Sequence, residues 1–189
     1  MVSSQILSFN LKLCSFNSRS CSIDKSIISK KFLEDGNSVL AVQEHFLLGK
    51  NLNKLKNQYP EFAVIGQAAH KDSSSLCGRP KGGLAFILPE GWIKWFKLIP
   101  ISTWRIQAIL LTLNNVSYLL VNCYLPVDDC KISSTCNELI DTLAVIDNII
   151  KSNNHDKLCN GDLNFSPDRN SSHSEILKQF MLDRSLVSS

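Results

Sequence analysis

No Cys-x-x-Cys pair occurs in this sequence, although seven cysteines are spread through its 189 residues, at positions 14, 21, 77, 123, 130, 136 and 159. That absence removes the usual zinc-site spacings. The count is odd, and a chain of this length can bury a core without disulfides, so reduced thiols and an intracellular, non-secreted protein are expected. No apolar run is long enough to span a bilayer. Residues 1–16 carry neither the basic start nor the long apolar stretch of a signal peptide, so no membrane partner is expected. No repeat and no low-complexity linker divides the chain, and residues 1–189 read as a single domain. A strong net charge is also missing, since 20 Lys and Arg against 17 Asp and Glu leave +3.

The charge that is there is unevenly placed. Up to Arg105 there are 14 Lys and Arg against 7 Asp and Glu, a net of +7; from Ile106 onward the counts are 6 and 10, a net of −4. A basic first half can serve as the footprint of a polyanion, although from charge alone a solvated surface with no partner is the better reading.

Strands and helices alternate. Gln5 to Phe9 reads as a strand, Asp24 to Glu34 as a helix, Val39 to Val42 as a buried strand, Leu47 to Tyr59 as a helix stopped before Pro60, and Ala63 to Ile65 as a short strand. A polar loop from His70 to Lys81 leads through Gly82-Gly83 into a strand at Leu84 to Leu88. Arg105 to Leu113 and Val116 to Tyr124 read as a hairpin joined by Asn114-Asn115, since asparagine tolerates positive φ. Thr135 to Lys151 is a helix opened by a Thr135/Glu138 capping box, Lys157 to Cys159 a strand, and a last helix starts at Ser172 with Glu175 completing a second box.

Candidate chemistry sits at the strand ends. Leu158-Cys159-Asn160-Gly161-Asp162-Leu163-Asn164 is an apolar approach, a turn-permitting glycine, then an acid and an amide two positions apart. In open α/β sheets the C-terminal strand ends are where ligands bind. An acid can take or orient a proton, and a neutral amide can bond an anionic oxygen without repelling it. Asn10 follows the first strand, Gln43-Glu44-His45 the second, and Asn122-Cys123-Tyr124-Leu125-Pro126 closes the hairpin. Glu44 is the natural hard-cation ligand, whereas His45 is read as structural or substrate-facing. Arg79 and Lys81 are candidates for a nucleic-acid backbone, and Arg105 could reach the same groove. Gly82-Gly83 could cradle a phosphate or simply make a tight turn. Trp92, Trp95 and Trp104 read as core or interface aromatics.

In Ile6-Leu7-Ser8-Phe9-Asn10, Leu40 to Leu47, Gly78 to Ala85, Asn122 to Pro126 and Gly161 to Asn164, taken in that order, the chain resembles the endonuclease/exonuclease/phosphatase superfamily. Within it the chain most resembles the endonuclease domain of non-LTR, LINE-like retrotransposons of the RTE type. The resemblance implies a four-layer α/β sandwich, two mixed β-sheets face to face with helices outside. It implies Mg²⁺-dependent phosphodiester hydrolysis, with Mn²⁺ as a substitute, on DNA and in the nucleus, beside a reverse transcriptase of the same element. Carried over by position, Glu44 binds the metal with help from Asn10, Tyr124 and Asn164 contact the scissile phosphate, and Asp162 orients or deprotonates the attacking water. Two departures stand out. Lys12 holds a place where some relatives carry an acid, and no histidine (45, 70, 155 or 173) follows an Asp as the closing Ser-Asp-His motif requires. The domain is therefore expected to lack its C-terminal strands. The alternatives are an inactive remnant and a phosphodiesterase of the same fold acting on lipid head groups.

Overall fold

Leu84-Ala85-Phe86-Ile87-Leu88 and Val39-Leu40-Ala41-Val42 are apolar at every position, so a strand built from either must be covered on both faces. That is what the computed structural model shows. It describes residues 11–34, 36, 38–71, 78–128, 133–153, 156–164 and 171–184. Strand β1 (Lys12–Asn17) is followed by α1 (Ile23–Leu33), β2 (Ser38–Gln43), α2 (Asn53–Gln58), β3 (Phe62–Gln67) and β4 (Leu84–Pro89). Then come β5 (Phe96–Ile99), β6 (Ile106–Leu113), β7 (Val116–Tyr124), α3 (Ser133–Ser152), β8 (Asp156–Asp162) and α4 (Ser172–Asp183). The strands form two four-stranded sheets, ordered β1-β2-β4-β3 and β5-β6-β7-β8. Both sheets are mixed, because β1 runs parallel to β2 and β7 parallel to β8 while the other pairs are antiparallel.

Successive side chains alternate between the layers. Val39 and Ala41 of β2 join Phe86, Leu88, Ile109 and Leu120 between the sheets. Their neighbours Leu40 and Val42 turn outward to Leu33 of α1 and Leu55 of α2. On the other flank Leu119, Val121 and Cys123 meet Leu139, Leu143 and Ile146 of α3 and Leu177 of α4. The result is the expected helix–sheet–sheet–helix sandwich. No helix among the described residues is long and apolar enough to cross a membrane.

A polar seam crosses this apolar middle. Gln43 Nε2 donates to Asn122 Oδ1 at 2.8 Å, and Asn122 Nδ2 donates to the carbonyls of Val42 and Ala85 at 3.1 and 3.2 Å. Asn122 is fully buried and Gln43 is 1% exposed. Gln107 Nε2 reaches the Ile65 carbonyl and Gln67 Nε2 the Thr103 carbonyl, both at 2.8 Å. Unlike apolar contact, these bonds have direction, so they fix how the sheets lie on one another.

Several elements differ from the sequence reading. The strand expected over Gln5 to Phe9 lies outside the described residues; the first described strand is β1 and ends at Asn17. Leu47 to Tyr59 is not one helix but a 3₁₀ turn, Gly49–Asn51, and the six-residue α2, because Gly49, Asn51 and Asn53 interrupt with poor helix formers. Strand β5, four residues long, is too short to carry a sequence pattern of its own. Helix α3 starts at Ser133, and its Glu138 pairs with Arg105 instead of closing a capping box. The cap of α4 is Ser171, whose oxygen accepts the Ser174 N–H at 3.2 Å.

Asn122→Ala removes three buried hydrogen bonds, one from Gln43 and two to the Val42 and Ala85 carbonyls, and is expected to lower unfolding stability by about 3 kcal/mol. Urea unfolding monitored by circular dichroism measures this.

Candidate active site

The parallel pairs carry their last residues to one rim. Asn17 pairs in register with Gln43 at the end of β1 and β2, and Tyr124 with Asp162 at the end of β7 and β8. Gly161 is required there: a Cβ at this position would stand 2.1 Å from the Cys123 carbonyl oxygen, so only glycine lets β8 lie against β7.

The two sheet ends meet side chain to side chain. Asn17 Nδ2 donates to Asp162 Oδ2 at 2.5 Å, across 145 residues of sequence. The other Asp162 oxygen accepts the Asn164 N–H at 3.0 Å, and Asn164 Nδ2 donates to the Leu125 carbonyl at 2.7 Å. Asp162 is thus held from both sides in one orientation. Burial, then the neighbouring Glu44 carboxylate, then the charge of Asp162 push the Tyr124 phenol well above its ordinary range, against a smaller opposing effect of Arg105. One phenol therefore feels both carboxylates.

Glu44 reaches this site through an unusual backbone. Glu44 and Phe46 have φ of 56° and 58°, left-handed values that cost side chains other than glycine energy and need support from their surroundings. The support is the residue between them. His45 is buried, its Nδ1 accepts the Leu47 N–H at 3.0 Å, and its Nε2 lies 3.1 Å from the Gln67 carbonyl and 3.3 Å from that of Leu84. These partners put the proton on Nε2. A Cβ on Gly83 would come within 2.6 Å of this ring, and one on Gly82 within 2.7 Å of Trp104. The paired glycines therefore make room for two rings, which supports a structural reading over a phosphate cradle. The carbonyls of Gly83 and Gly82 accept the N–H groups of His45 and Phe46 at 3.4 and 3.1 Å.

No protein-family model and no curated protein matches the chain. Solved structures do. An AP endonuclease from Leishmania major superposes with a TM-score of 0.67 at 13% identity, over 91% of this chain and 66% of that one. A 3′ phosphatase from Neisseria, bound to a product DNA hairpin, gives 0.65 at 14% identity, over 92% and 71%. An endonuclease/exonuclease/phosphatase family protein from Leptotrichia buccalis gives 0.62 at 19%, over 90% and 74%. The fold is that of the endonuclease/exonuclease/phosphatase proteins. At these identities the likeness establishes the architecture alone, and the chain spans less than two thirds of the Leishmania enzyme.

Within this endonuclease/exonuclease/phosphatase fold the structure brings Glu44, Tyr124, Asp162 and Asn164 together. Asn10 lies outside the described residues, and the amide that reaches Asp162 is Asn17. Ser-Phe-Asn occurs twice, at 8–10 and 15–17, and it is the second copy that ends β1 and is followed, after residues 18–22, by α1. With Asn17 in this place, the residue two positions on is Arg19, not Lys12.

The cations separate. Arg79 is exposed at the rim, its guanidinium 3.7 Å from the Phe46 ring centroid and donating to the Arg19 carbonyl. Lys81 is exposed beside it. Arg105 does not belong with them. It is 8% exposed, its Nε donates to Glu138 at 2.8 Å and its Nη1 to the Tyr124 carbonyl at 3.2 Å, so its charge is spent behind the site. Trp104, read as a core or interface aromatic, stands beside the site, 6.1 Å from the Tyr124 ring. Among the described residues no group of three or more His, Cys, Asp and Glu side chains is placed to hold a metal.

Burial holds the His45 pKa below its ordinary value of 6.5, outweighing the hydrogen bonds that raise it. A base whose pKa is depressed by folding contributes stability that is full above 6.5 and falls away as pH drops toward the folded value. Wild-type protein is therefore expected to melt at a lower temperature at pH 5.5 than at pH 7.5, and His45→Gln to lose part of that difference. Calorimetry at the two pH values checks both.

Proposed function

We propose that this chain is a Mg²⁺-dependent phosphodiesterase domain that nicks DNA, of the kind carried by non-LTR retrotransposons. The observation that carries this reading is the convergence of Glu44 and Asp162 on one phenol, Tyr124, with Asn17 bridging the two sheet ends. The donor set fits a hard divalent cation. It consists of carboxylate and amide oxygens, and two carboxylates acting on one phenol make a negative pocket that a cation would neutralise. Glu44 would hold the ion with Asn17 beside it, and Mn²⁺ would substitute. When bound, the cation supplies charge stabilisation for the phosphate and the leaving oxygen.

The remaining work falls to the chain's own side chains. Asp162, oriented by Asn17 and by the Asn164 N–H, would be the base for the attacking water. The Tyr124 phenol keeps its proton at neutral pH, because burial and both carboxylates oppose its ionisation, so it serves as a donor to an anionic oxygen. Asn164 commits one amide hydrogen to Leu125 and keeps the other for the same phosphate. Arg79 and Lys81 on the rim suit the phosphates on either side. The DNA substrate, a reverse transcriptase domain as partner and a nuclear location follow from the retroelement resemblance and belong to this proposal.

Supercoiled plasmid incubated with purified protein is expected to be nicked with Mg²⁺ or Mn²⁺ and left intact with EDTA. Glu44→Ala and Asp162→Asn are each expected to reduce the rate by about 10³-fold. A folded wild-type sample that leaves plasmid intact with either metal contradicts the proposal, and release of a phosphorylated lipid head group by the same sample reassigns the substrate.

Tyr124→Phe removes only the donor. It is expected to reduce kcat by about 10- to 100-fold while leaving KM within about 2-fold, since the lost hydrogen bond strengthens as charge develops on the phosphate. Steady-state nicking of a fluorophore-labelled duplex gives both constants.

A further inference from the structure

Trp104 stands beside the site, yet no motif and no step of the proposed chemistry uses it. Its surroundings are specific. The His70 ring is stacked on it at 5.3 Å with an 11° interplanar angle, the Arg105 guanidinium lies 4.1 Å from its ring centroid, and the Tyr124 ring is tilted against it at 42°. The indole is also why residue 82 is glycine, since a Cβ there would sit 2.7 Å from Cζ3 and 2.9 Å from Cε3. A ring already engaged by an imidazole, a guanidinium and a phenol is poorly placed to stack on a nucleobase.

What Trp104 touches defines the site instead. On one side it packs on Gly82, whose carbonyl accepts the Phe46 N–H and so backs the Glu44–His45–Phe46 segment. His70 reinforces that side, exchanging two backbone hydrogen bonds with Lys81 at 2.9 and 2.8 Å. On the other side lies Tyr124. Its ring meets the indole, its N–H donates to the Arg105 carbonyl at 2.8 Å, and its carbonyl accepts from Arg105 Nη1 at 3.2 Å. Arg105 in turn is fixed by Glu138 of α3. Trp104 thus spans the gap between the loop that presents Glu44 and the strand end that presents Tyr124.

We propose that Trp104 is a positioning residue that sets the distance and angle of the Tyr124 hydroxyl to Glu44, acting through Gly82 on one side and through Tyr124 and Arg105 on the other. The inference rests on the reading of Glu44 and Tyr124 as site residues. A positioning residue that never touches substrate changes the rate of the chemical step and leaves binding alone.

The test measures kcat and KM on the labelled duplex for Trp104→Leu, Trp104→Phe and Gly82→Ala. A parallel measurement records ¹⁹F spectra of the 3-fluorotyrosine protein, with the Tyr124 resonance assigned by Tyr124→Phe. Trp104→Leu and Gly82→Ala are expected to lower kcat by up to about 100-fold with KM unchanged, and Trp104→Phe to recover most of the loss. The Tyr124 resonance is expected to move in Trp104→Leu and to return toward its wild-type position in Trp104→Phe. Where Trp104→Leu costs the fold, Trp104→Phe carries the test through a smaller loss of the same kind. A raised KM with unchanged kcat overturns the proposal and makes Trp104 a substrate contact. Wild-type kcat in Trp104→Leu also overturns it. Failure of the function proposed above is a different outcome, wild-type protein that cuts no DNA. The ¹⁹F spectra then decide alone, and a Tyr124 resonance unmoved in Trp104→Leu rejects the positioning role.

Discussion

The buried hydrogen bond between Gln43 and Asn122 is the constraint on which the arrangement of the site depends. Apolar contact between two sheets is non-directional, and by itself it allows one sheet to slide on the other at little cost. An amide pair sealed from water allows no such slide, because moving it by an ångström strands a donor and an acceptor in the core. Gln43 belongs to the first sheet and Asn122 to the second. Once they are joined, sequence adjacency and strand register do the rest. Glu44 follows Gln43, Asn17 pairs with Gln43, Tyr124 lies two residues past Asn122, and Asp162 pairs with Tyr124. Four polar side chains at the ends of four strands are brought to one place by a bond that none of them makes.

The rim is assembled at a local cost that the surroundings support. Left-handed backbone at Glu44 and Phe46 is unfavourable for those residues, and it persists because His45 between them is fixed through both ring nitrogens. The glycines nearby serve rings and backbones more than flexibility: Gly83 yields space to His45, Gly82 to Trp104, and Gly161 to the Cys123 carbonyl. Strain and enforced small residues clustered around a pair of carboxylates are a pattern expected of a site that must be rigid before its ligand arrives.

Much of this was legible from the residues. The β6–β7 hairpin followed from two apolar runs flanking Asn114-Asn115, and both asparagines adopt the positive φ of 50° and 66° that such a turn needs. Val39 to Val42 and Leu84 to Leu88 read as buried and apolar strands from their residues, while the four layers that cover them were implied by the family resemblance. Glu44, Tyr124 and Asp162 were visible as polar residues at the ends of apolar strands. What stayed hidden depends on long-range pairing. Which copy of Ser-Phe-Asn ends the first strand at this site is decided by a bond to Asp162, 145 residues away. Arg105 read as a groove cation because Glu138, its partner, had a local role in view as a helix cap; the tertiary ion pair won. Trp104 carried no local signal at all, since an aromatic between a loop and a strand reads as core or interface. Its place shows only when Gly82, His70 and Tyr124 are seen around it.

The most direct measurement is an anomalous difference map from crystals of the wild-type protein grown with Mn²⁺. The account predicts one strong peak at the Glu44 carboxylate, in a pocket also bounded by Asn17, Tyr124 and Asp162. A map in which Glu44 and Asp162 face different cavities, or in which the ion binds elsewhere while this rim stays empty, contradicts it.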